Sequence, residues 1–168
     1  MAETVTIKDL QTILTQPAGS KLVIVKIITS DDGLYGLGCA TFTQRFMAVK
    51  TAIEEHLKPF LIGRDVDRIE EIWQMSMVNS YWRNGPVLNN AISGIDQALW
   101  DIKGKAAGKP VRQLLSDSSV GAVPAYASVL WPERPEDVTN AEGGGAEAPR
   151  MVTDYPYVVT CNNSSQTL

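Results

Sequence analysis

The chain of 168 residues has 44% hydrophobic residues, a net charge of −4 and an isoelectric point near 5.0. Its length and hydrophobic content suffice for one domain with a buried core, and its acidic balance without a basic stretch excludes nucleic acid and anionic membrane surfaces as partners. No apolar run approaches the ~20 residues of a membrane-spanning helix, and the N-terminus lacks the pattern of a targeting signal.

The first forty residues predict a small antiparallel sheet. A loosely alternating strand runs from Thr4 to Gln16, and a clearer aliphatic and β-branched run follows from Leu22 to Ile28. Asp31-Asp32-Gly33 is typical of a hairpin turn in which the glycine takes a positive φ. It leads into a return strand in which Tyr35, Leu37, Cys39 and Thr41 alternate. The pattern indicates a meander with one face packed against the core and one face exposed to solvent.

A helical layer follows the sheet. The first helical period ends near Phe60, where Pro59 and the Ile62-Gly63 turn are predicted to stop it. Asp65 is interpreted as the N-cap of the next helix. The apolar face of that helix consists of Ile69, Ile72, Trp73 and Met77.

The longest predicted helix begins at Pro86, whose missing N–H costs nothing in a first turn. Gly94 lies in its middle at a cost of ~1 kcal/mol relative to alanine, which predicts that a neighbouring element approaches closely there. Asp96 lies near the edge of the apolar face and needs a partner if it is buried. Gly104 and Gly108 are predicted to break the helix.

Residues that commonly build catalytic or metal sites are scarce. Cys39 and Cys161 are far apart, which excludes a disulfide framework or thiolate cluster and is typical of a reducing, cytoplasmic setting. His56 is the single histidine and is placed on a helix surface, so no His-based metal site or triad can form. Asp101 and Lys105, four residues apart, are interpreted as an ordinary surface pair. No catalytic residue and no metal ligand is therefore predicted.

Three stretches with the right order and separation carry a family resemblance. They are DDGLYGLGCATFTQR (31–45), FLIGRDVDRIEEIWQ (60–74) and YWRNGPVLNNAISGIDQALWDIKGKAAGKPVRQLL (81–115). Together they resemble the N-terminal capping domain of the enolase superfamily, within its mandelate racemase and muconate lactonizing group. They are most similar to acid-sugar dehydratases, which include mannonate and galactonate dehydratases and the starvation-sensing proteins.

The resemblance implies an α+β fold, in which a three-stranded antiparallel meander is followed by a helical bundle. In the family this domain caps the mouth of a (β/α) barrel, where Mg²⁺ and catalytic bases remove water from a sugar acid. A barrel takes about 200 residues or more, so it is not expected in this sequence. Mg²⁺ is accordingly expected in full-length family members and not on this chain alone, and a sugar acid is expected as ligand only when a barrel is supplied.

Two loops of the cap usually face the substrate in this family. The resemblance places Thr43 and Arg45 in the first loop, with Thr43 where mannonate dehydratases have a substrate-contacting asparagine. Thr43 is equally well interpreted as an N-cap of the following helix. Trp82 and Arg83 fall in a run that resembles a cap–barrel contact and are further candidates for substrate binding, but structural packing is the favoured role of Trp82. Ser128 stands where mannonate dehydratases place a substrate-contacting histidine.

The resemblance divides the chain into three parts. Residues 1–120 are interpreted as the capping domain and residues 121–138 as a remnant of the first barrel strand with its following loop. Residues 139–168, which contain Gly143-Gly144-Gly145 and Asn162-Asn163-Ser164-Ser165, are predicted to form an irregular or disordered tail.

Three hypotheses for the function remain open at this stage. The chain is the capping part of an acid-sugar dehydratase, or a non-catalytic interaction or dimerisation module, or a remnant without selected function. In the second case the surface that a barrel normally covers is hidden by self-association, as a homo-oligomer, or by a partner, because large exposed apolar patches are rare on soluble monomers.

Overall fold

The computed structural model describes residues 4–116, which form a three-stranded antiparallel sheet followed by helices. The strands are β1 (Ile7–Thr15), β2 (Leu22–Thr29) and β3 (Tyr35–Cys39), in the spatial order β1-β2-β3. This confirms the predicted α+β meander. The predicted strand remnant of residues 121–138 and the predicted tail of residues 139–168 lie outside the described residues.

The central strand β2 shows why this sequence forms a two-sided sheet. Its side chains alternate between buried and half-buried positions, and Val23, Val25 and Ile27 have no exposed surface. Because successive side chains of a strand point to opposite faces, this alternation directs one face to the helices. Gly33 has a φ of +86° in the β2–β3 turn, and the Leu34 N–H donates to the Asp31 carbonyl at 3.1 Å. The predicted hairpin turn is confirmed.

The start of β1 pairs with residues 64–65, where the sequence predicted the N-terminus of a helix. Thr6 forms an isolated bridge with Asp65, and the Ile7 N–H donates to the Arg64 carbonyl at 2.8 Å. The Asp65 carboxylate accepts the N–H of Asp67 at 2.9 Å. The next helix begins only at Ile69, so the prediction that Asp65 is its N-cap is wrong. The Asp65 carboxylate instead closes a local turn, while the Asp65 backbone pairs with Thr6 at the start of β1.

The first helical region has nearly the predicted extent but changes its winding in the middle. It comprises α1 (Phe46–Thr51), a π-helical segment (Ala52–Leu57) and α2 (Lys58–Leu61). The Lys58 N–H donates to the Ile53 carbonyl, five residues back, so the helix widens immediately before Pro59. Pro59 then falls at the start of α2, where a missing N–H is tolerated. The helix continues through Pro59, so the prediction that Pro59 stops it is wrong. It ends at Leu61, and the predicted stop at the Ile62-Gly63 turn is confirmed.

The second region is α3 (Ile69–Val78), whose buried residues are Ile69, Ile72 and Ser76. Trp73 is 45% exposed, so its assignment to the buried face is wrong. The small Ser76 takes a buried position instead, and its hydroxyl has no hydrogen-bond partner among the described residues. The apolar stripe of this helix is therefore rotated away from the tryptophan.

The long helix α4 (Pro86–Ala107) begins at the predicted proline and is followed by the short α5 (Val111–Leu115). Gly108, with a φ of +61°, ends α4 in the left-handed conformation that favours glycine. Gly104 does not break the helix, contrary to the prediction. It is buried, and a Cβ built there would lie 2.9 Å from the Lys109 carbonyl oxygen. Its lack of a side chain lets the chain fold back against α4.

One continuous core joins the sheet to the helices. It is formed by aliphatic side chains, the largest fully buried ones being Ile7, Leu10, Ile27, Ile53, Leu57, Leu61, Ile72, Ile95, Leu99 and Ile102. Within residues 4–116, no helix is both long and apolar enough to cross a membrane.

Candidate functional site

Strand β3 and helix α4 contact each other through glycine backbone. A Cβ built on Gly36 would lie 1.9 Å from the Ala98 carbonyl oxygen, and one on Gly38 would lie 1.9 Å from that of Gly94. The buried face of β3 is thus glycine, while its larger side chains, Tyr35 and Leu37, are 39% and 43% exposed. Gly94 in turn contacts Ala40, which confirms the predicted close approach to this helix position.

This contact brings two loops to one end of the domain. Along β3, Gly36 lies against Ala98 and Ile102, whereas Gly38 lies against Gly94. The strand therefore runs toward the N-terminus of α4. The loop that follows β3, residues 41–45, and the loop that precedes α4, residues 79–85, lie at this shared end. The sequence resemblance placed the first of these loops at the substrate and the second in the contact between cap and barrel.

The first loop presents Thr43 and Arg45. Thr43 is half-buried and begins a short 3₁₀ turn over Thr43–Arg45, and its hydroxyl donates to the Gln44 side-chain oxygen at 3.3 Å. Phe42 and Arg45 are the N-cap residues of this turn and of α1, and within residues 4–116 no side chain caps either, so the interpretation of Thr43 as an N-cap is wrong. Arg45 is exposed and donates one guanidinium N–H to the Gln44 carbonyl at 2.8 Å.

The second loop presents Tyr81, Trp82 and Arg83. The two aromatic rings meet edge to face with centroids 5.2 Å apart, and they are 86% and 85% exposed. Trp82 therefore does not pack into the described core. The Ser80 hydroxyl donates to the Trp82 carbonyl at 2.7 Å, and Arg83 donates to the Ser80 carbonyl at 3.3 Å. These bonds give the loop a defined backbone while its large side chains face outward.

This end of the domain suits recognition of a polar, anionic ligand. Two exposed guanidinium groups, of Arg45 and Arg83, can bind a carboxylate through paired N–H donors, and exposed aromatic rings provide flat apolar contact. Residues 41–45 and 79–85 include neither a carboxylate nor a histidine to move a proton. These two loops can bind and enclose a ligand, and proton transfer would require residues outside them. Ser128, the fifth predicted site residue, lies outside the described residues.

Groups with shifted pKa values lie away from these loops. Burial raises the pKa of Asp96 on α4. A hydrogen bond from Lys50, with a second from the Thr12 hydroxyl, lowers the pKa of Glu54. A hydrogen bond from Lys58 lowers the pKa of Asp9. Glu54 and Asp9 therefore serve to attach the helices to β1.

The described part of the chain does not fit a magnesium ion. Between residues 4 and 116, no group of three or more histidine, cysteine, aspartate or glutamate side chains is placed to hold a metal. Mg²⁺ requires several oxygen ligands in near-octahedral geometry. No chemical step through a metal follows from these residues.

Comparison with known proteins identifies the domain. Residues 1–116 match the family model of the mandelate racemase and muconate lactonizing enzyme N-terminal domain. Over 152 residues, or 90% of this chain, the sequence is 51% identical to a D-galactonate dehydratase family member of Musicola paradisiaca. It is 62% identical, over the same share, to D-galactonate dehydratase family member RspA of Pantoea ananatis. The chain spans about a third, 35%, of the length of each of these curated relatives.

Solved structures agree with the sequence comparison. The crystal structure of an enolase from Pantoea ananatis with bound D-gluconate and magnesium matches with a TM-score of 0.69 and 61% identity, over 71% of this chain and 29% of that one. A member of the enolase superfamily from Salmonella Typhimurium matches with a TM-score of 0.68 and 32% identity, over 77% of this chain and 34% of that one. The chain thus belongs to the family of mandelate racemase and muconate lactonizing enzymes, whose N-terminal domain it carries.

Proposed function

We propose that this chain supplies the substrate-capping domain of a cytoplasmic, Mg²⁺-dependent acid-sugar dehydratase. In this proposal the cap closes over the mouth of a barrel that holds the metal and the catalytic bases. Thr43, Arg45, Trp82, Arg83 and Ser128 face the sugar acid. Residues 1–120 form the cap, residues 121–138 lead out of it, and residues 139–168 have no assigned part in the activity.

The observation that carries this proposal is the placement of the two loops at one end of α4. Tyr81 and Trp82 are almost fully exposed there, although aromatic side chains are normally buried in part. Arg45 and Arg83 are exposed in the same two loops. A second surface that covers this end would enclose a ligand between cationic and aromatic groups. D-gluconate in the related Pantoea ananatis structure is a sugar acid of the expected class.

A domain exchange tests the proposal directly. Residues 1–116 of this chain replace the matching domain of the Pantoea ananatis relative, and dehydration of a panel of hexonates and hexarates is measured with Mg²⁺ and with EDTA. We expect the chimera to dehydrate at least one sugar acid that the intact relative also dehydrates. The 168-residue chain alone should show no turnover. Turnover by the chain alone, or an inactive but folded chimera beside an active relative, would contradict the proposal.

Matched variants of the chimera test the loop residues. We expect Trp82→Ala and Arg83→Met each to lower kcat/KM by about tenfold or more, since enclosure and carboxylate binding contribute in the transition state. Trp73→Ala removes an exposed tryptophan from α3, and Arg68→Met removes an exposed arginine immediately before α3. Both lie outside the two loops. These control variants should retain the activity of the parent chimera.

A specific observation also favours the alternative, a non-catalytic dimerisation module. The sheet face opposite the helices carries aligned apolar side chains, with Ile13 opposite Ile24 and Ile24 opposite Cys39 in register. Ile13 and Leu37 are largely exposed on this face. Sedimentation velocity of the 168-residue chain distinguishes the proposals, because a monomer at all tested concentrations argues against dimerisation as the function.

A further inference from the structure

Strand β3 pairs with β2 along one edge, and this pairing determines which backbone groups point outward along the other edge. In an antiparallel pair, the backbone groups of alternate residues face the partner strand and those of the others face away. The N–H of Ala40 donates to the Val23 carbonyl at 2.8 Å, so the even-numbered residues of this strand face β2. The N–H and carbonyl groups of Tyr35, Leu37 and Cys39 therefore point outward, where a fourth strand would bind.

Side chains of α4 occupy four of these six outward groups. The Asp101 carboxylate accepts the Leu37 N–H at 2.8 Å, and the Lys105 ammonium donates to the Tyr35 carbonyl at 2.9 Å. The Gln97 amide accepts the Cys39 N–H at 3.1 Å and donates to the Cys39 carbonyl at 3.4 Å. Asp101 and Lys105 also bond to each other at 2.7 Å. They are thus more than the ordinary surface pair that the sequence predicted.

The glycines of β3 make this arrangement possible. Because Gly36 and Gly38 have no side chains, the helix backbone lies directly beneath the strand. From that position, residues one turn apart on one flank of α4 reach around the strand edge. The Lys105 ammonium also lies 4.2 Å from the centre of the Tyr35 ring, with the Lys26 ammonium at 4.6 Å. Both contacts hold the end of the strand in place.

We infer that Gln97, Asp101 and Lys105 take the place of a fourth strand, and that they close an edge which otherwise pairs with β3 of a second copy of this chain. Unpaired strand edges recruit further strands unless charged side chains or a covering element block them. The segment Tyr35–Cys39 contains no charge and no proline. Two copies related by a twofold axis would align antiparallel, with the outward groups of one strand facing those of the other.

Residue-resolved amide exchange of the 168-residue chain tests this inference. In the double variant Gln97→Ala/Asp101→Ala at low concentration, we expect the Leu37 and Cys39 amides to exchange about tenfold faster than in the wild type. The Gly36 and Gly38 amides, which face β2, should keep their protection. At higher concentration the double variant should dimerise in sedimentation velocity, and the Leu37 and Cys39 amides should regain protection.

Control variants separate edge closure from general destabilisation. Glu70→Ala/Gln74→Ala removes one carboxylate and one amide from exposed positions of α3 and should change neither exchange nor association. Asp101→Asn keeps a carbonyl oxygen for the Leu37 N–H and should retain most of its protection. If the double variant does not fold, Asp101→Ala alone should accelerate exchange at Leu37 and leave Cys39 protected. Unchanged exchange at Leu37, or association equal to that of the control variant, would overturn the inference.

Discussion

At position 38 the strand backbone leaves no space for a methyl group. A Cβ there would lie 1.9 Å from the Gly94 carbonyl oxygen, which belongs to the α4 backbone and cannot move independently. We therefore expect Gly38→Ala to lower the free energy of unfolding by about 3 kcal/mol or more, at the upper end for overpacking substitutions. Urea denaturation measures the loss. Cys39→Ala, at the exposed neighbouring position, is the control and should change stability by less than about 1 kcal/mol.

Asp96 is a half-buried carboxylate whose side chain has no hydrogen-bond partner among residues 4–116. Burial raises its pKa above the ordinary value near 3.8, so the folded state binds the proton more tightly than the unfolded state. The free energy of unfolding should therefore decrease as pH rises from about 3.8 through the raised pKa. We expect Asp96→Asn to be more stable than the wild type above this window and equal to it at the acid end.

Chemical denaturation at a series of pH values checks this expectation. Asp32→Asn, an exposed aspartate in the β2–β3 turn, serves as the matched control and should show no such pH-dependent difference. A stability difference for Asp96→Asn that does not change between acid and neutral pH would contradict the assignment to the Asp96 carboxylate.

Single residues also show where sequence-based prediction failed. Gly36 and Gly38 form the buried face of β3, but glycine has no hydrophobic side chain by which the sequence could indicate burial. Trp73 was assigned to the core from helical spacing, but Ser76 takes that position. Whether a residue at the border of the apolar face is buried depends on the neighbouring elements, and the helical spacing of apolar residues does not specify these. Gly94 was predicted correctly, because a mid-helix glycine is costly without a close neighbour.

Among the elements, β1 is attached to the first helical region by hydrogen-bonded charges. The Glu54 carboxylate on the π-helical segment accepts hydrogen bonds from Lys50 and from Thr12 of β1. These bonds lower the pKa of Glu54 below its ordinary value near 4.5. Its contribution to stability is thus fully present above pH 4.5 and is lost as pH falls through the lowered pKa.

We expect Glu54→Gln to be less stable than the wild type at neutral pH, with a difference that disappears at the acid end. The pH dependence is opposite in sign to that expected of Asp96→Asn. Thermal unfolding across the same pH range measures it, and Glu55→Gln at the exposed next position is the control. A deficit for Glu54→Gln that persists undiminished in acid would show that the ionised carboxylate is not its source.

Most elements could be predicted because their evidence is local. The β-branched run of β2, the Asp31-Asp32-Gly33 turn and the proline at the start of α4 each specify their own structure. The predictions for Asp65 and Pro59 were wrong for two different reasons. One is a contact between residues distant in sequence, and the other is a change in helical winding. Asp65 lies beside Thr6 in the folded chain, and the π-helical segment before Pro59 removes the conflict that a proline normally causes in a helix.

For the whole molecule, the candidate site depends on the antiparallel arrangement of β3 and α4. Family resemblance predicted its two loops, but only the fold places residues 41–45 and 79–85 at one end of the same helix. The edge contacts of Gln97, Asp101 and Lys105 were not predicted, because their partners lie 58 to 70 residues away in sequence. Spacing within α4 shows only that Asp101 and Lys105 are neighbours.

The distance in sequence between β3 and its covering side chains affects how the domain is made. During synthesis, Cys39 is added to the chain 66 residues before Lys105. At about 5–20 residues per second, the strand therefore exists for roughly 3–13 seconds before its edge can be closed. In that interval the hairpin of β2 and β3 has an open edge while it is still attached to the ribosome. On a polysome, several copies of the nascent chain are close together, so unclosed β3 edges of neighbouring copies could pair until α4 has folded.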